Sequence, residues 1–338
     1  MVGRANGANS YYQGPASDHF DGRIFFNPNG SPPRPFGDFL KWQFDGKRAK
    51  WPAAFPSPHP PARPDLTLDG DRLRVTMVGH ASLLIQTAGL NLLTDPVWSE
   101  RVSPFSFIGP KRVNEPGIAF DGLPKIDAVL LTHNHYDHLD IATLQNLHER
   151  HDPLLVTPLG NDAIVRKSVP AMRIACGDWG DSFALSPELR VHIEPAHHWS
   201  ARGTGDRRMA LWSAFAVEAP AGNVYVAGDT GFHDGVNYRD AAAKHGGFRL
   251  AVLPIGAYEP RWFMQGQHQN PDEAVRGMKL AGAAFAAGCH WGTFQLTNEP
   301  IEEPRDLLHT ALDLHGVDRE RFRAMLPGEV WDIPSAAA

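Results

Sequence analysis

The chain has 338 residues, 42% hydrophobic and 21% charged, which is enough for one large domain or two ordinary ones with a sizeable core. Its net charge is −6 with histidine neutral, and no Lys/Arg-rich block offers the basic face that a nucleic-acid partner needs. Two cysteines exclude a disulfide framework, and no stretch approaches the ~20 apolar residues of a membrane span.

In chain order, residues 1–20 are rich in Gly, Ala, Ser and Asn, a composition that predicts poor order. Residues 21–66 hold proline clusters such as NPNGSPPRPF and WPAAFPSPHPPARP, which cannot form regular helices or central strands. Residues 1–66 are therefore expected to be an arm wrapping a domain at 67–338. Within the arm, FGDFLKWQF is ambiguous: Phe36, Phe39 and Leu40 sit at helical spacing, while Trp42 and Phe44 continue at a spacing of two. Its aromatics suit burial against the domain; an apolar surface for lipid or for a second copy is the alternative.

From residue 71 the pattern becomes that of strands. RLRVTMVGH, ASLLIQT and LNLLTDP, broken by glycines, predict an antiparallel meander, with His80 and Asp95 at strand ends. AVLL, PLLVTP, LRVHIEP, ALWSAFAVEA, NVYVAGD, LAVLPIG, AAFAAGC and GEVWDI follow as further strand candidates. LDIATLQNLHER and EPRDLLHTALDLHG read as helices. QNPDEAVRGMKLAG does too, with Asn270 as N-cap, Pro271 at the first helical position and Glu273 completing a capping box. Strands dominate and helices fall between groups of them, so two sheets with helices outside is the economical architecture.

The chemistry concentrates at AVLLTHNHYDHLD, residues 128–140. A buried strand ends at Leu131, and His133, His135, Asp137 and His138 follow within six letters. His133 and His135 lie two apart, so on extended chain their imidazoles share a face. Three imidazoles and a carboxylate at this spacing suit two divalent metals better than a packing role. Three later strand ends add His197 or His198, Asp229 and His290. Polar groups at the ends of buried strands are costly unless paired or metal-bound, and four such ends in succession point to one site.

This set resembles the metallo-β-lactamase superfamily, on THNHYDH, His198, Asp229 in AGDTG and His290 in CHW. The segments VGHASLLI, LLTDPVWSERVSPFSFIGPKR, AHHWSAR, PIGAYEPRWFM, HQNPDEAV and HWGTFQLTNEP narrow it to the branch that resembles N-acyl-phosphatidylethanolamine-hydrolysing phospholipases D, over residues 71 to about 315. The resemblance implies a four-layer αββα sandwich of two mixed sheets with helices outside. It implies two divalent ions, zinc first and manganese or iron as alternatives. His133, His135, His198 and Asp229 would take the first ion, and Asp137, His138, His290 and Asp229 the second. Family β-lactamases place Cys or Ser where this chain has Asp229, so antibiotic hydrolysis is disfavoured.

The implied activity is phosphodiester cleavage of an N-acylated phosphatidylethanolamine or related phospholipid by water activated between the ions. Asp137 would accept the proton, and His268 would act as acid or orient substrate. His80, Trp199, Tyr258, Arg261, Trp262 and Phe294 are candidate substrate contacts. A lactonase or other carboxyl-ester hydrolase could use the same centre, and a non-catalytic metal-binding module is a further alternative. The expected location is cytoplasmic, with peripheral contact at the inner membrane surface and a homodimer both left open.

Overall fold

The runs RLRVTMVG, SLLIQT and LNLLT place apolar side chains on both faces of their strands, and both faces are covered. In the computed structural model, which describes residues 8–335, they form β1 (Leu73–Gly79), β2 (Ser82–Thr87) and β3 (Leu90–Thr94), an antiparallel meander. Three parallel strands extend it: β4 (Ala128–Leu130), β5 (Leu154–Pro158) and β6 (Ile174–Gly177). The second sheet opens with three antiparallel neighbours, β7 (Ser182–Ala184), β8 (Arg190–Glu194) and β9 (Ala214–Glu218). It continues through β10 (Val224–Val226), antiparallel to β9, into the parallel strands β11 (Phe248–Pro254), β12 (Ala283–Cys289) and β13 (Phe322–Ala324). The last strand, β14 (Val330–Asp332), returns to pair with β1, so each mixed sheet has seven strands.

Alternation on these strands builds three layers of core. Val75, Met77, Leu83 and Ile85 of the first sheet meet Val191, Phe215, Val224 and Leu250 of the second. On the outer face of the first sheet, Leu84, Leu93 and Val129 pack under α2 (Ile141–His151) and α3 (Asn161–Val165). On the outer face of the second, Ala251, Leu253 and Ala286 pack under α4 (Val236–His245), α6 (Pro271–Leu280) and α7 (Glu303–His315). The result is helix–sheet–sheet–helix, with the parallel strands of both sheets delivering their carboxyl ends to one edge, where α/β folds place ligands. The capping box at Asn270 and Glu273 is formed, and Gly316 ends α7 in the left-handed conformation.

The arm is a separate layer of irregular chain. Residues 1–7 lie outside the described residues, so the expected poor order can be compared only from residue 8 onward. There the chain is packed rather than loose, because aromatic anchors and side-chain hydrogen bonds outweigh the polar composition. Phe20 and Phe25 are fully buried, Asn9 donates to Met209 O at 2.8 Å, and Tyr11 donates to Asp206 at 2.8 Å. The ambiguous segment is helical: α1 (Phe36–Gln43) has Asp38 in its first turn and Lys41 in its last, both favourable to the helix dipole. Trp42 is buried and donates to Asn298 Oδ1 at 2.8 Å, while Phe44 is 84% exposed. The four-residue α5 (Arg261–Met264) packs beside α1, with Phe263 stacked on Trp42 at 5.0 Å. No helix among the described residues is long and apolar enough to cross a membrane.

One anchor of the arm titrates. His19 stacks on Trp179 at 4.5 Å, and its Nε2 lies 2.7 Å from Asp178 Oδ1. Burial lowers its pKa, but the hydrogen bonds to Asp178 and Asp18 outweigh that and raise it above the ordinary value. A raised folded-state pKa gives stability that is complete below the unfolded pKa of ~6.5 and is lost as pH rises through the folded value. Protease cleavage within residues 8–35 is therefore expected to quicken as pH rises above about 6.5, and the pH dependence should vanish in His19→Phe.

Candidate metal centre

Three of the strands that run to this edge end where the backbone turns sharply. His80 follows β1 with φ 56°, Asp95 follows β3 with φ 34°, and His290 follows β12 with φ 62°. Such left-handed non-glycine residues cost of order 1–3 kcal/mol each and collect where function over-determines them. Gly228 makes the turn before Asp229 at φ 60°; a Cβ there would stand 2.9 Å from Thr132. Gly256, after β11, lets that chain pass the His290 carbonyl, which a Cβ would approach to 2.2 Å.

Seven side chains converge at this edge. His133 Nε2 and His198 Nε2 lie 2.9 and 3.1 Å from His135 Nδ1. Asp229 Oδ2 stands 3.9 Å from His133 Nε2 and 3.7 Å from His198 Nε2. On its other side the same oxygen is 3.2 Å from His138 Nε2, and Asp229 Oδ1 is 3.2 Å from His290 Nε2. Asp137 Oδ2 closes the second group, 3.2 Å from His290 Nε2 and 3.4 Å from His138 Nε2. Asp229 thus sits between two sets of donors.

The outer hydrogen bonds fix which nitrogen of each imidazole faces inward. His138 Nδ1 donates to Asp95 Oδ2 at 2.8 Å, and His198 Nδ1 donates to Gln267 O at 3.0 Å. His133 Nδ1 lies 3.0 Å from Thr132 Oγ1, whose hydroxyl donates to Asp95 Oδ2 at 2.7 Å. With Nδ1 protonated on these three rings, their Nε2 lone pairs point into the site. His138 Nε2 and Asp229 Oδ1 are buried without a well-directed hydrogen-bond partner. Nitrogens and carboxylates packed this closely need positive charge among them, from protons, which the carboxylates favour on His138 and His290, or from cations, and the imidazole–carboxylate set fits divalent metals.

The electrostatics divide in the same way. Burial, then the neighbouring imidazoles, hold His133 well below the ordinary histidine value; burial also lowers His198, against the pull of Asp229. Burial brings His135 down to about 4. Burial opposes charge on Asp137 and Asp229, yet His138 and His290 overcome it and hold both carboxyls well below the usual range. His290 is pushed the other way, to about 9: burial lowers it, and Asp229 and Asp137 more than compensate.

His197 is not among the converging groups: its ring packs on His233 at 4.1 Å, and His198 takes the inward position. His268 lies beside the group, its Nδ1 3.9 Å from Asp229 Oδ2, with burial lowering its pKa to about 4. His80 is buried and touches no open space; its Nε2 lies 2.9 Å from Asp137 Oδ2, so it orients that carboxylate. Phe294 packs edge-on against His80. Tyr258 is buried elsewhere, its hydroxyl donating to Glu303 at 2.7 Å. Arg261 is occupied as well: Nη2 sits 2.9 and 2.8 Å from the two Glu273 oxygens, and Nη1 donates to His268 O at 2.9 Å. That arrangement ties the His268 backbone to α6 and commits both terminal nitrogens of the guanidinium to the protein. Trp262 is partly exposed, with Lys41 over its ring at 5.0 Å.

Two residues of this architecture carry little sequence signal. Asp95, in the turn-like context TDP, is the acceptor behind both His138 and the Thr132–His133 pair. Arg202 stacks on Tyr136 at 3.9 Å and donates from Nη1 to Asn134 O and Leu139 O at 3.0 and 2.8 Å. It braces the loop that holds four of the seven donors, and nothing in SARGTGD marks it.

A cavity of about 680 Å³ opens on His135 and His268. Trp199, Phe263 and Met264 line it from the domain, and Pro33, Phe39 and Trp42 from the arm. Arg34 and Arg207 also line it, and Arg207 stacks on Trp199 at 4.5 Å.

A family model described as a beta-lactamase superfamily domain matches residues 90–291. The N-acyl-phosphatidylethanolamine-hydrolyzing phospholipase D 1 of Caenorhabditis elegans is 37% identical over 274 residues, covering 77% of this chain and 76% of that one. A metallo hydrolase from Ignicoccus hospitalis superposes with TM-score 0.57 at 18% identity, over 78% of this chain and 99% of the other. An isothiocyanate hydrolase from Delia radicum gut bacteria gives TM-score 0.59 at 22% identity, over 76% and 98%. The fold and centre are those of a metal-dependent hydrolase. The chain belongs to the metallo-β-lactamase superfamily, in the branch of the N-acyl-phosphatidylethanolamine-hydrolysing phospholipases D.

Proposed function

We propose that the protein is a dinuclear phosphodiesterase of phospholipase D type, acting on N-acyl-phosphatidylethanolamine or a closely related amphiphile. The observation that carries this reading is an apolar cleft opening directly onto the converging donors, with arginines at hand for anionic oxygens. His133, His135 and His198 would hold one divalent ion, Asp137, His138 and His290 the other, and Asp229 both; imidazole and carboxylate suit zinc. When bound, such a pair lowers the pKa of water and offsets charge on a phosphoryl oxygen.

The protein's own groups do the rest. Asp137, positioned by His80 and His290 and kept ionised, is the acceptor for a proton leaving the attacking water. His268 is neutral near pH 7, so it serves by donating a hydrogen bond to a phosphoryl or leaving-group oxygen rather than by standing ready as a cationic acid. The apolar walls take acyl chain and keep bulk water from the reacting phosphorus.

Purified, zinc-loaded protein should release phosphatidic acid from N-acyl-phosphatidylethanolamine in mixed micelles far faster than it opens any of a panel of lactones. Lactone or carboxyl-ester turnover with no phosphatidic acid would overturn the assignment in favour of an ester hydrolase. The cleft gives a second test. Phe263→Ala removes an aromatic wall worth about 1.5–3 kcal/mol of apolar contact, so KM for long-chain substrate should rise about 10–100-fold. Turnover of a small water-soluble phosphodiester should change little.

A further inference from the structure

The far end of the second sheet carries metal-ligand chemistry that the main centre does not use. His192 lies in the middle of β8, Glu218 ends β9, and His245 ends α4. His192 pairs in register with Ala216, so Glu218, two residues further along β9, shares its face. Helix α4 packs over that face and sets His245 down there, with the His192 and His245 rings 4.7 Å apart. Glu218 Oε2 is 3.0 Å from His192 Nε2, Glu218 Oε1 is 3.2 Å from His245 Nδ1, and one donor atom of each residue lies within 4.8 Å of the others.

The tautomers decide what this cluster can hold. The His245 side chain is 1% exposed and has a carboxylate at each nitrogen, Glu218 at Nδ1 and Glu194 Oε1 at Nε2, the latter 2.9 Å away. A neutral imidazole has one N–H. Glu194, buried and held by Lys244 at 2.7 Å, is the closer acceptor at 2.9 Å against 3.2 Å, and donation to it leaves the Nδ1 lone pair facing the Glu218 carboxylate. Lone pair against carboxylate is repulsive unless a cation lies between them. His192 Nε2 adds a second buried nitrogen without a well-directed hydrogen bond, although Glu218 is close. Glu194 then stands where an outer carboxylate stands behind a ligating histidine.

We propose that His192, Glu218 and His245 form a further metal site, a His₂Glu set for a divalent ion of the zinc type with its remaining positions open to water. The Glu218 side chain is 43% exposed, which gives the ion a path to solvent and makes it exchangeable. Its structural effect is to tie the end of α4 to β8 and β9. The competing state is an imidazolium at His245 satisfied by both glutamates with no metal.

Metal content of the full-length protein after equilibration in zinc-buffered solution separates the two. His192→Ala and Glu218→Gln should each bind about one zinc fewer than the unsubstituted chain while hydrolase activity stays unchanged, and the zinc-dependent rise in melting temperature should shrink. Stoichiometry equal to that of the unsubstituted chain in both variants overturns the proposal. The result is read as a difference between proteins, so it stands whatever number the catalytic centre holds, and failure of the dinuclear reading would appear in variants of Asp229.

Discussion

Asp229→Ala is expected to abolish hydrolysis, with kcat down by about 10⁴-fold or more, and to release both catalytic metals together. Asp229 is the residue whose two oxygens approach donors on both sides, His133 and His198 on one, His138 and His290 on the other. On the proposed dinuclear reading, removing it would take a ligand from each position and leave the remaining imidazoles without the negative charge that would offset two dications. Metal analysis of the purified variant, read beside phosphatidic acid release, checks both halves. Retention of two ions with activity within tenfold would mean that Asp229 does not bridge them. Asp229→Asn controls for lost volume: it keeps the shape and one oxygen but not the charge, and should lose activity nearly as completely.

Six of the seven converging side chains could be singled out from the residues themselves, whereas the choice of His198 over His197 came only from the family resemblance. Four sit within six letters, and the others end runs such as NVYVAGD and AAFAAGCH, where a buried strand leaves no bland role for a polar terminus. The meander, the buried strands β4, β5, β11 and β12 and the capped helix α6 were legible for a similar reason: their patterns are strong and local. β6, β7 and β13 were not, being three or four residues long with partly exposed faces. Helix α4 was missed because VNYRDAAAKH buries only Tyr238 and Ala241, and so has almost no stripe to read. At residues 8–20 the composition reports average polarity, whereas a few aromatics and one asparagine decide the packing. Tyr258 and Arg261 were singled out by neighbourhood in sequence, yet the fold satisfies both with glutamates, Glu303 and Glu273. What a linear reading cannot see is the partner that uses up a side chain.

Asp95 shows the converse, a residue of ordinary context whose loss should be among the most damaging. Its two oxygens accept three buried donors: the Thr132 amide at 2.8 Å, the Thr132 hydroxyl at 2.7 Å and His138 Nδ1 at 2.8 Å. Asp95→Ala strands all three, and at about 1–3 kcal/mol for each unsatisfied group it should cost roughly 3–9 kcal/mol of stability, readable as a lowered urea midpoint. Asp95→Asn is the sharper variant because it keeps the volume. An amide presents one acceptor oxygen and one donor nitrogen where the carboxylate presents two acceptors. With the nitrogen toward His138, the ring must carry its proton on Nε2 and loses the lone pair it aims into the site. With the oxygen toward His138, the nitrogen faces the Thr132 amide donor instead. Either orientation should lower metal affinity about 10–100-fold, with far-ultraviolet dichroism unchanged and activity partly restored by excess zinc. Unaltered metal affinity in a folded Asp95→Asn protein would show that the tautomer of His138 is set by something other than this carboxylate.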